Sequence, residues 1–358
     1  MPPPLAVAPP KKEKRHPLVW VLLILLGLGV GLFMLLGIFG ALLGGGAGMS
    51  NPGTARSMLH EIVVEDSDAA DKIAVIGVEG VITGSAIDHS GASMVDLIKE
   101  QLRRAADDGK VKAVILKVDS PGGEVLASDD IYRAIQKFQQ EEGKPVIASM
   151  GSLAASGGYY VSAPCRWIVA NELTLTGSIG VIMSGYNYRG LMDKVGVVPL
   201  VYKSGKFKDM LSGSKKPEEI LPEEGKMVQA LIDETYGRFK KIVKEGREAA
   251  NKENAGKGKA LSADWEEMAD GRILSGNQAY QAGLVDELGN WDTTVDRALK
   301  LAGIQDAKVV SYARPFTLGS LFGFSGKAEP TTIKIDLGMD APKLKAGHLY
   351  FLSSSVLH

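Results

Sequence analysis

From residue 72 onwards, apolar positions alternate between short continuous runs and stripes at helical spacing. The first three runs are rich in β-branched residues, which is typical of buried strands. They lie at 73–78, 111–118 and 145–150. The helical stripes lie between them: one follows Ser93, where Asp96 completes a capping box, and the other runs through 131–138. The order strand–helix–strand–helix–strand predicts an α/β fold with a parallel sheet and helices outside it.

The pattern continues with shorter elements. Apolar runs predict three more strands, at 167–170, 179–183 and 198–202. Helical spacing predicts a short helix ending at 192–195, a long charged helix within 217–250, and short helices around Trp265 and Tyr280. The tail at 313–358 mixes Gly, Pro and Ser with scattered apolar residues, and we assign no fold to it. The predicted folded domain therefore spans residues 71–312.

The N-terminus has a different composition. Residues 1–17 form a proline-rich, then basic head, and residues 18–43 contain no charged side chain. A signal-peptide core is about 7–15 residues long and a membrane span needs about 20, so this length predicts a transmembrane anchor. The basic head should stay in the cytoplasm, which places the folded domain on the far side of the membrane. Residues 44–70 read as a linker, whose glycines leave cleavage near Gly48 open.

Overall composition excludes several classes of function. The net charge of the 358-residue chain is −1, and no nucleic-acid-binding motif is present. Because Cys165 is the single cysteine, one chain can form neither a disulfide framework nor a cysteine-based metal site. No phosphate-binding G-x-x-x-x-G-K-[ST] motif occurs. We therefore expect no metal, no organic cofactor and no nucleic-acid partner.

Two loops follow predicted strands and carry candidate chemistry. Residues 119–124 read D-S-P-G-G-E, and residues 149–160 read S-M-G-S-L-A-A-S-G-G-Y-Y. The carboxyl ends of parallel strands share one edge of a sheet, so we expect both loops at the same edge. Gly122 and Gly123 could turn backbone N–H groups toward a ligand, and Ser156 lies among small residues that let another backbone approach. Taken alone, each loop could also be a plain turn.

A serine nucleophile needs a group that accepts its proton. Only His89 of the five histidines lies within the folded region, so a Ser-His-Asp triad is poorly supported. The G-x-S-x-G elbow is also absent, because Ala154 stands at its first glycine position. A buried lysine can act as the base instead. Lys203, Lys206 and Lys208 follow the strand predicted at 198–202, and composition alone prefers none of them.

Five ordered motifs together resemble the signal peptide peptidase A family of membrane-anchored Ser-Lys proteases, in its short bacterial form. The resemblance spans residues 72–312. The motifs are D-S-P-G-G (119–123), S-M-G-S-L-A-A-S-G-G-Y-Y (149–160), T-L-T-G-S-I-G-V-I-M (174–183), K-S-G-K-F-K-D-M-L-S (203–212) and A-D-G-R-I-L-S-G-N-Q-A-Y-Q-A-G-L-V-D-E-L-G (269–289). Any one of these would be a weak signal, whereas all five in order are highly specific.

The resemblance implies roles for individual residues. Ser156 is expected to be the nucleophile, Lys208 the general base, and Ser178 the serine that orients the lysine amine. The backbone N–H groups of Gly123 and Gly157 are expected to form the oxyanion hole. Substrate is expected to lie against two further glycines, Gly122 and Gly158. In this reading Ser156 starts a helix whose N-terminus faces the reacting carbonyl.

The resemblance also implies the fold, the location and the partners. It predicts a ClpP/crotonase-like α/β domain behind one N-terminal transmembrane helix, held in the bacterial inner or cell membrane as a single-pass protein with a cytoplasmic N-terminus. The expected assembly is a ring homo-oligomer, with an octamer as the candidate size, in which the lysine reaches the serine of a neighbouring subunit. The expected substrates are released signal peptides and other extended apolar peptides.

Two alternative functions stay open. One is a non-catalytic ring scaffold that binds peptides, against which the presence of Ser156 and Lys208 argues. The other is an acyl-CoA hydratase or thioesterase on the same fold, against which the predicted anchor argues, because CoA chemistry is cytosolic. The sequence therefore predicts a membrane-anchored serine endopeptidase with a Ser-Lys dyad.

Overall fold

The structure is a computed structural model that describes residues 26–29, 31, 59–85, 92–314 and 350–352. The chain divides into two compact units, Met1–Arg56 and Ser57–His358. In the first unit, the described residues are helical and exposed. A helix with the length and apolarity to cross a membrane does not occur among the described residues. The anchor expected at 18–43 lies mostly outside them and stays a prediction, and His89 also lies outside them.

The described part of the second unit is built on one large and one small sheet. Its strands, numbered along the chain, are β1 His60–Glu65, β2 Lys72–Glu79, β3 Val111–Ser120, β4 Gly122–Glu124, β5 Val146–Ala155, β6 Trp167–Ala170, β7 Leu175–Gly177, β8 Ile273–Ser275, β9 Glu287–Leu288, β10 Lys308–Ala313 and β11 Tyr350–Leu352. The large sheet has the order β1-β10-β2-β3-β5-β6-β9, with β7 beside β5 and β8 beside β7. β4 and β11 form the small sheet.

The large sheet is mostly parallel. From β10 to β9 along the main order, every pair of neighbours runs in parallel, and β7 is parallel to β5. β1 and β8 join at the periphery as antiparallel strands. Strand β3 is buried along most of its length, as expected when helices cover both faces of a parallel sheet. The predicted α/β class is therefore confirmed.

Helices cover both faces of the large sheet. They are α1 Met94–Asp107, α2 Val125–Glu142, α3 Gly157–Ser162, α4 Arg189–Lys194, α5 Pro222–Glu253, α6 Gly276–Gln281 and α7 Trp291–Ala302, with short 3₁₀ turns at Pro217–Glu219 and Trp265–Met268. Side chains of α1, α2, α3 and α5 fill the larger core. Helix α7 fills the smaller core, where Ala298 lies among side chains of the sheet such as Ile115 and Trp167.

The predicted start of α1 is confirmed in detail. The Asp96 backbone N–H donates to Ser93 Oγ at 3.1 Å, and the Ser93 N–H donates back to Asp96 Oδ2 at 3.0 Å. These hydrogen bonds from Ser93 hold the pKa of the Asp96 carboxyl below its usual value. The two residues therefore satisfy N–H groups that the first turn of a helix cannot pair internally.

Replacing this cap should destabilise the domain modestly. We expect Ser93→Ala to lower the free energy of unfolding by about 1 kcal/mol, because one helix N–H loses its acceptor. Ser93→Thr, which keeps the hydroxyl, should lose clearly less. Urea unfolding followed by circular dichroism measures both, and equal losses in the two variants would contradict the capping role.

Two predicted strands are wrong, and seven strands among the described residues were not predicted. Residues 179–183 form only an isolated bridge, between Ile182 and Tyr350 of β11. Residues 198–202 form no strand, because no described strand pairs with them. The strands that the pattern misses are the short strands β4, β7, β8 and β9, together with β1, β10 and β11. β1 falls inside the predicted linker at 44–70, and its side chains are exposed along its length. Its partner β10 is distant in sequence, so local pattern could not reveal the pair.

Candidate active site

Three of the motifs meet at one edge of the large sheet. Ser120 at the end of β3 lies opposite Ala154 of β5, and Ala155 of β5 lies opposite Gly177 of β7. The residues that follow these strands therefore emerge side by side. The prediction that the loops after β3 and β5 share an edge is confirmed, and the motif at 174–183 joins them there.

Ser156 occupies a strained turn between β5 and α3. Its backbone angles are φ 54° and ψ −115°, a conformation that non-glycine residues rarely adopt. Two backbone hydrogen bonds hold it there: its N–H donates to the Gly177 carbonyl at 2.8 Å, and its carbonyl accepts from the Tyr160 N–H at 2.8 Å. Its Oγ is buried and has no hydrogen-bond partner among the described residues. Strain of this kind, about 1–3 kcal/mol, clusters at functional sites.

The glycines expected to form the oxyanion hole lie next to each other. A Cβ built on Gly157 would be 3.1 Å from the Gly123 backbone nitrogen and 2.7 Å from Ser128 Oγ. A Cβ built on Gly123 would be 1.9 Å from the carbonyl oxygen of Ile82. Neither position has room for a side chain, so only glycine fits at each. Two convergent N–H groups beside a serine are the arrangement that stabilises an oxyanion.

The other two glycines have different surroundings. Gly122 has φ 98°, and a Cβ there would be 2.6 Å from the Gly157 backbone nitrogen, so Gly122 packs against the turn that carries Ser156. A Cβ on Gly158 would instead be 2.9 Å from the Ser120 carbonyl oxygen, on the side of α3 that faces the sheet. Close packing of α3 on β3 accounts for Gly158. Its expected contact with substrate stays a prediction.

Ser178 lies beside Ser156 at the edge of the sheet. It follows β7 directly, has φ 49°, and its N–H donates to the Arg272 carbonyl at 2.7 Å. Its side chain is largely buried and lines a cleft with Ile182, Asp233 and Tyr236. Because Ala155 and Gly177 are paired, the next residues of the two strands, Ser156 and Ser178, are close neighbours.

Within one chain, Lys208 forms no hydrogen bond with Ser156, whose Oγ has no partner among the described residues. Lys208 lies in an exposed run of turns, and no ion pair of its ammonium occurs among the described residues. The two other candidate lysines do have carboxylate partners. Lys203 pairs with Asp209 at 2.8 Å, and Lys206 pairs with Glu223 at 3.3 Å.

Beside Ser156 and the glycines lies a feature that the sequence pattern did not predict, an aromatic wall and the strand that covers it. β11 pairs with β4 in antiparallel fashion, and Phe351 is fully buried against Tyr160 and Phe239. Tyr159 and Tyr160 were visible as a pair after the two glycines, and Phe239 belonged to the predicted stripe of the long helix. The only sequence signal for β11 was a short apolar cluster in an otherwise mixed tail.

Tyr160 is held firmly in this wall. Its hydroxyl donates to Asp129 Oδ1 at 2.7 Å, and Arg238 lies 3.5 Å from the same carboxylate oxygen. Burial and the hydrogen bond to Asp129 raise the pKa of Tyr160, so the ring stays neutral. Burial alone would raise the pKa of Asp129, but hydrogen bonds from Tyr160 and Arg133 hold it below its usual value. The carboxylate therefore stays charged and fixes the tyrosine ring.

Cys165 is a core residue. It is fully buried, and burial raises the pKa of its thiol to about 12, which leaves it unreactive near neutral pH. Within the described ranges, no three His, Cys, Asp or Glu side chains lie close enough together to hold a metal ion.

Comparison with known proteins gives consistent matches. The profile of Peptidase family S49 matches residues 138–305. A protein of Enterococcus faecium, provisionally named signal peptide peptidase SppA, is 38% identical over 267 residues, covering 72% of each chain. A provisionally named protease of Synechocystis is 42% identical over 206 residues, covering 58% of this chain and 69% of that one. Protease 4 of Haemophilus influenzae is 35% identical over 251 residues, covering 70% of this chain and 38% of the longer relative.

Solved structures are more distant. A lysine-to-alanine mutant of a membrane-bound stomatin-specific protease, in complex with a substrate peptide, has a TM-score of 0.42 and 18% identity, covering 69% of this chain and 94% of that one. The assignment of the chain to a protein family therefore rests on the sequence relatives and the family profile. The chain belongs to the signal peptide peptidase SppA family of serine proteases, peptidase family S49.

Proposed function

We propose that this protein is a membrane-anchored endopeptidase that hydrolyses released signal peptides and other extended apolar peptides with a Ser156–Lys208 dyad. The observation that carries the proposal is Ser156 itself. Its Oγ is buried without a hydrogen-bond partner among the described residues, on a strained turn beside the N–H groups of Gly123 and Gly157. A structural serine would be expected to bond its hydroxyl, since an unpaired buried hydroxyl costs about 1–3 kcal/mol.

The reaction follows from this arrangement. Ser156 Oγ attacks the peptide carbonyl carbon while the neutral amine of Lys208 takes the hydroxyl proton. The oxygen that becomes negative accepts hydrogen bonds from the N–H groups of Gly123 and Gly157. Lys208 then gives the proton to the leaving amine, and the acyl-enzyme is hydrolysed by water that the same lysine activates. Ser178, beside Ser156, orients the lysine amine.

In the proposed assembly, a second copy of the chain supplies the lysine that acts as the base. A lysine acts as a base when burial disfavours its ammonium form, and Lys208 is exposed in the single chain. The segment around it, residues 186–220, also exposes large apolar side chains. These are Tyr186, Leu191, Val195, Val198, Leu200, Val201 and Tyr202. Apolar surface of this kind marks an interaction site, so this segment packs on a neighbouring subunit in a ring and delivers Lys208 to that subunit's Ser156.

Replacing Lys208 tests the dyad. We expect Lys208→Ala to lower kcat for a fluorogenic apolar peptide by about 10³-fold, the scale of a lost general base. Lys208→Arg should be equally inactive, because arginine does not release its proton near neutral pH. Steady-state kinetics of the full-length chain, with size-exclusion profiles beside them, give the result.

The matched controls are the two neighbouring lysines. Lys203→Ala and Lys206→Ala remove surface ion pairs, which contribute about 0–1 kcal/mol each, so kcat should stay within about twofold of the wild type. Full activity in Lys208→Ala together with loss in one of the controls would assign the base to another lysine.

A further inference from the structure

The turn that carries Lys208 has little regular structure to hold it. Residues 198–203, just before it, pair with no described strand, and residues 206–211 form turns. The Lys208 N–H donates to the Gly205 carbonyl at 3.2 Å, which closes the turn locally. A local hydrogen bond of this kind does not fix the turn relative to the rest of the domain. Side-chain contacts must therefore set the position of the Lys208 amine.

Lys215 makes the contact that joins this turn to the long helix. Its ammonium lies 3.5 Å from Asp209 Oδ1 and 2.6 Å from Glu224 Oε1. Asp209 directly follows Lys208 in the chain, and Glu224 belongs to the first turn of α5. One lysine thus bridges two carboxylates, one on the turn and one on the helix. We call this contact the Lys215 bridge.

The Lys215 bridge is buried, although Lys208 beside it is exposed. The side chains of Lys215 and Glu224 are 7% and 4% exposed, and that of Asp209 is 14% exposed. Lysine and glutamate are almost never buried unless they are paired. The hydrogen bond to Glu224 raises the pKa of Lys215, so its ammonium stays charged. Lys203 also pairs with Asp209, but its side chain is 36% exposed, so its loss leaves the buried bridge in place.

The helix at the other end of the bridge is fixed in the core. Phe239, Ile242 and Val243 of α5 are fully buried. At the start of the helix, Glu224 Oε1 also accepts the Leu221 N–H at 3.3 Å, and a carboxylate there complements the helix dipole. A continuous set of contacts therefore runs from the core through α5 to the turn that carries the proposed base.

We propose that Lys215 is a positioning residue for the peptidase: its buried bridge fixes the turn that presents Lys208 to the neighbouring subunit. The inference rests on the proposed Ser156–Lys208 dyad and adds to it a residue that acts only through Lys208. Position matters here because a catalytic group displaced by about 1 Å loses about 100-fold in rate.

Steady-state kinetics of the full-length chain test this role. Lys215→Met removes the bridge, so kcat for a fluorogenic apolar peptide should fall about 10–100-fold while KM stays within about twofold. Lys215→Arg keeps a cation that reaches both carboxylates and should recover most of the rate. The control is Lys216→Met, which removes the next lysine, a partly exposed one, and should leave kcat unchanged. A wild-type kcat in Lys215→Met would overturn the proposal.

A second variant cuts the bridge on the side of the turn only. Asp209→Leu keeps the approximate volume and leaves the pair between Lys215 and Glu224 intact, and kcat should again fall at least several-fold. Removing a negative charge beside a lysine favours its neutral form, so the change of charge alone would speed the reaction. A lowered kcat therefore reports position. An unchanged or raised kcat in Asp209→Leu would overturn the proposal, even where Lys215→Met fails to assemble.

Hydrogen exchange measures the hold on the turn directly. In full-length Lys215→Met, the Lys208 amide should exchange about tenfold faster than in the wild type, while the amides of Phe239 and Val243 keep their protection. Unchanged exchange at Lys208 would show that the bridge does not hold the turn. Faster exchange throughout α5 would make Lys215 a residue that supports the fold as a whole, which also contradicts the proposal.

A double variant separates this inference from the proposed dyad. In Lys208→Ala, adding Lys215→Met should lower the residual rate no further, because both changes remove the same function. A further loss as large as that in the wild type would give Lys215 a structural role. An inactive Lys208→Ala beside a fully active Lys215→Met would remove the positioning role alone. Full activity in Lys208→Ala would instead remove the proposed base.

Discussion

Ser156→Ala is expected to abolish peptide hydrolysis while leaving the fold intact. Removing a nucleophile that acts with its base lowers kcat on the order of 10⁵-fold or more. The free energy of unfolding should stay within about 0.5 kcal/mol of the wild type, because Ser156 Oγ has no hydrogen-bond partner to lose among the described residues. Initial rates on a fluorogenic apolar peptide and a urea unfolding curve measure the two quantities.

The control lies in the same stretch of chain. Ser152 is exposed on β5, four residues before Ser156, and Ser152→Ala should change neither rate nor stability. Retention of more than a tenth of the wild-type rate in Ser156→Ala would remove Ser156 from the reaction. A large loss of stability in that variant would make it a structural residue.

The largest expected loss of stability comes from a buried ion pair between α5 and the residue that precedes β9. Arg247 of α5 pairs with Asp286, and both side chains are about 1% exposed. Arg247 also donates to the Cys165 carbonyl at 2.9 Å, and Asp286 accepts from the Ile168 N–H at 2.9 Å. The pair thus joins the long helix to the end of the sheet.

We expect Arg247→Met to lower the free energy of unfolding by about 3–5 kcal/mol, because the Asp286 carboxylate would stay buried without its partner. Lys241→Met on the same helix removes an exposed pair with Glu245 and should cost less than about 0.5 kcal/mol. Urea unfolding compares the two. A loss below about 1 kcal/mol in Arg247→Met would show that the aspartate finds water or another donor when the arginine is gone.

The elements that sequence predicted well are those with a local signal. The runs at 73–78, 111–118 and 167–170 became β2, β3 and β6, because parallel strands that are buried on both faces are apolar throughout. The capping box at Ser93 fixed the start of α1. The strand–helix order then placed two loops at one sheet edge, which made Ser156, Gly122 and Gly123 candidates, and the family resemblance supplied their expected roles.

The features that could not be predicted from the sequence depend on contacts between residues far apart along the chain. Strands β1 and β11 exist because β10 and β4 pair with them across long stretches of chain. The apolar run at 198–202 reads as a strand by composition, but no described strand lies beside it and its side chains are exposed. The catalytic base also depends on a distant partner, so hydrophobic periodicity could not distinguish among the three candidate lysines. The choice of Lys208 came from the family resemblance. The proposed partner of Lys208 lies on another copy of the chain.

The central claim, that Ser156 is activated by Lys208 of a neighbouring subunit, is tested most directly by mixing two inactive variants. Full-length Ser156→Ala and Lys208→Ala are combined, dissociated, reassembled together and assayed on the apolar peptide. Roughly a quarter of the sites should then pair an intact serine with an intact lysine by chance, so a corresponding fraction of wild-type activity should return. Mixed assemblies that form, as seen by native mass spectrometry, and yet stay inactive would contradict the account.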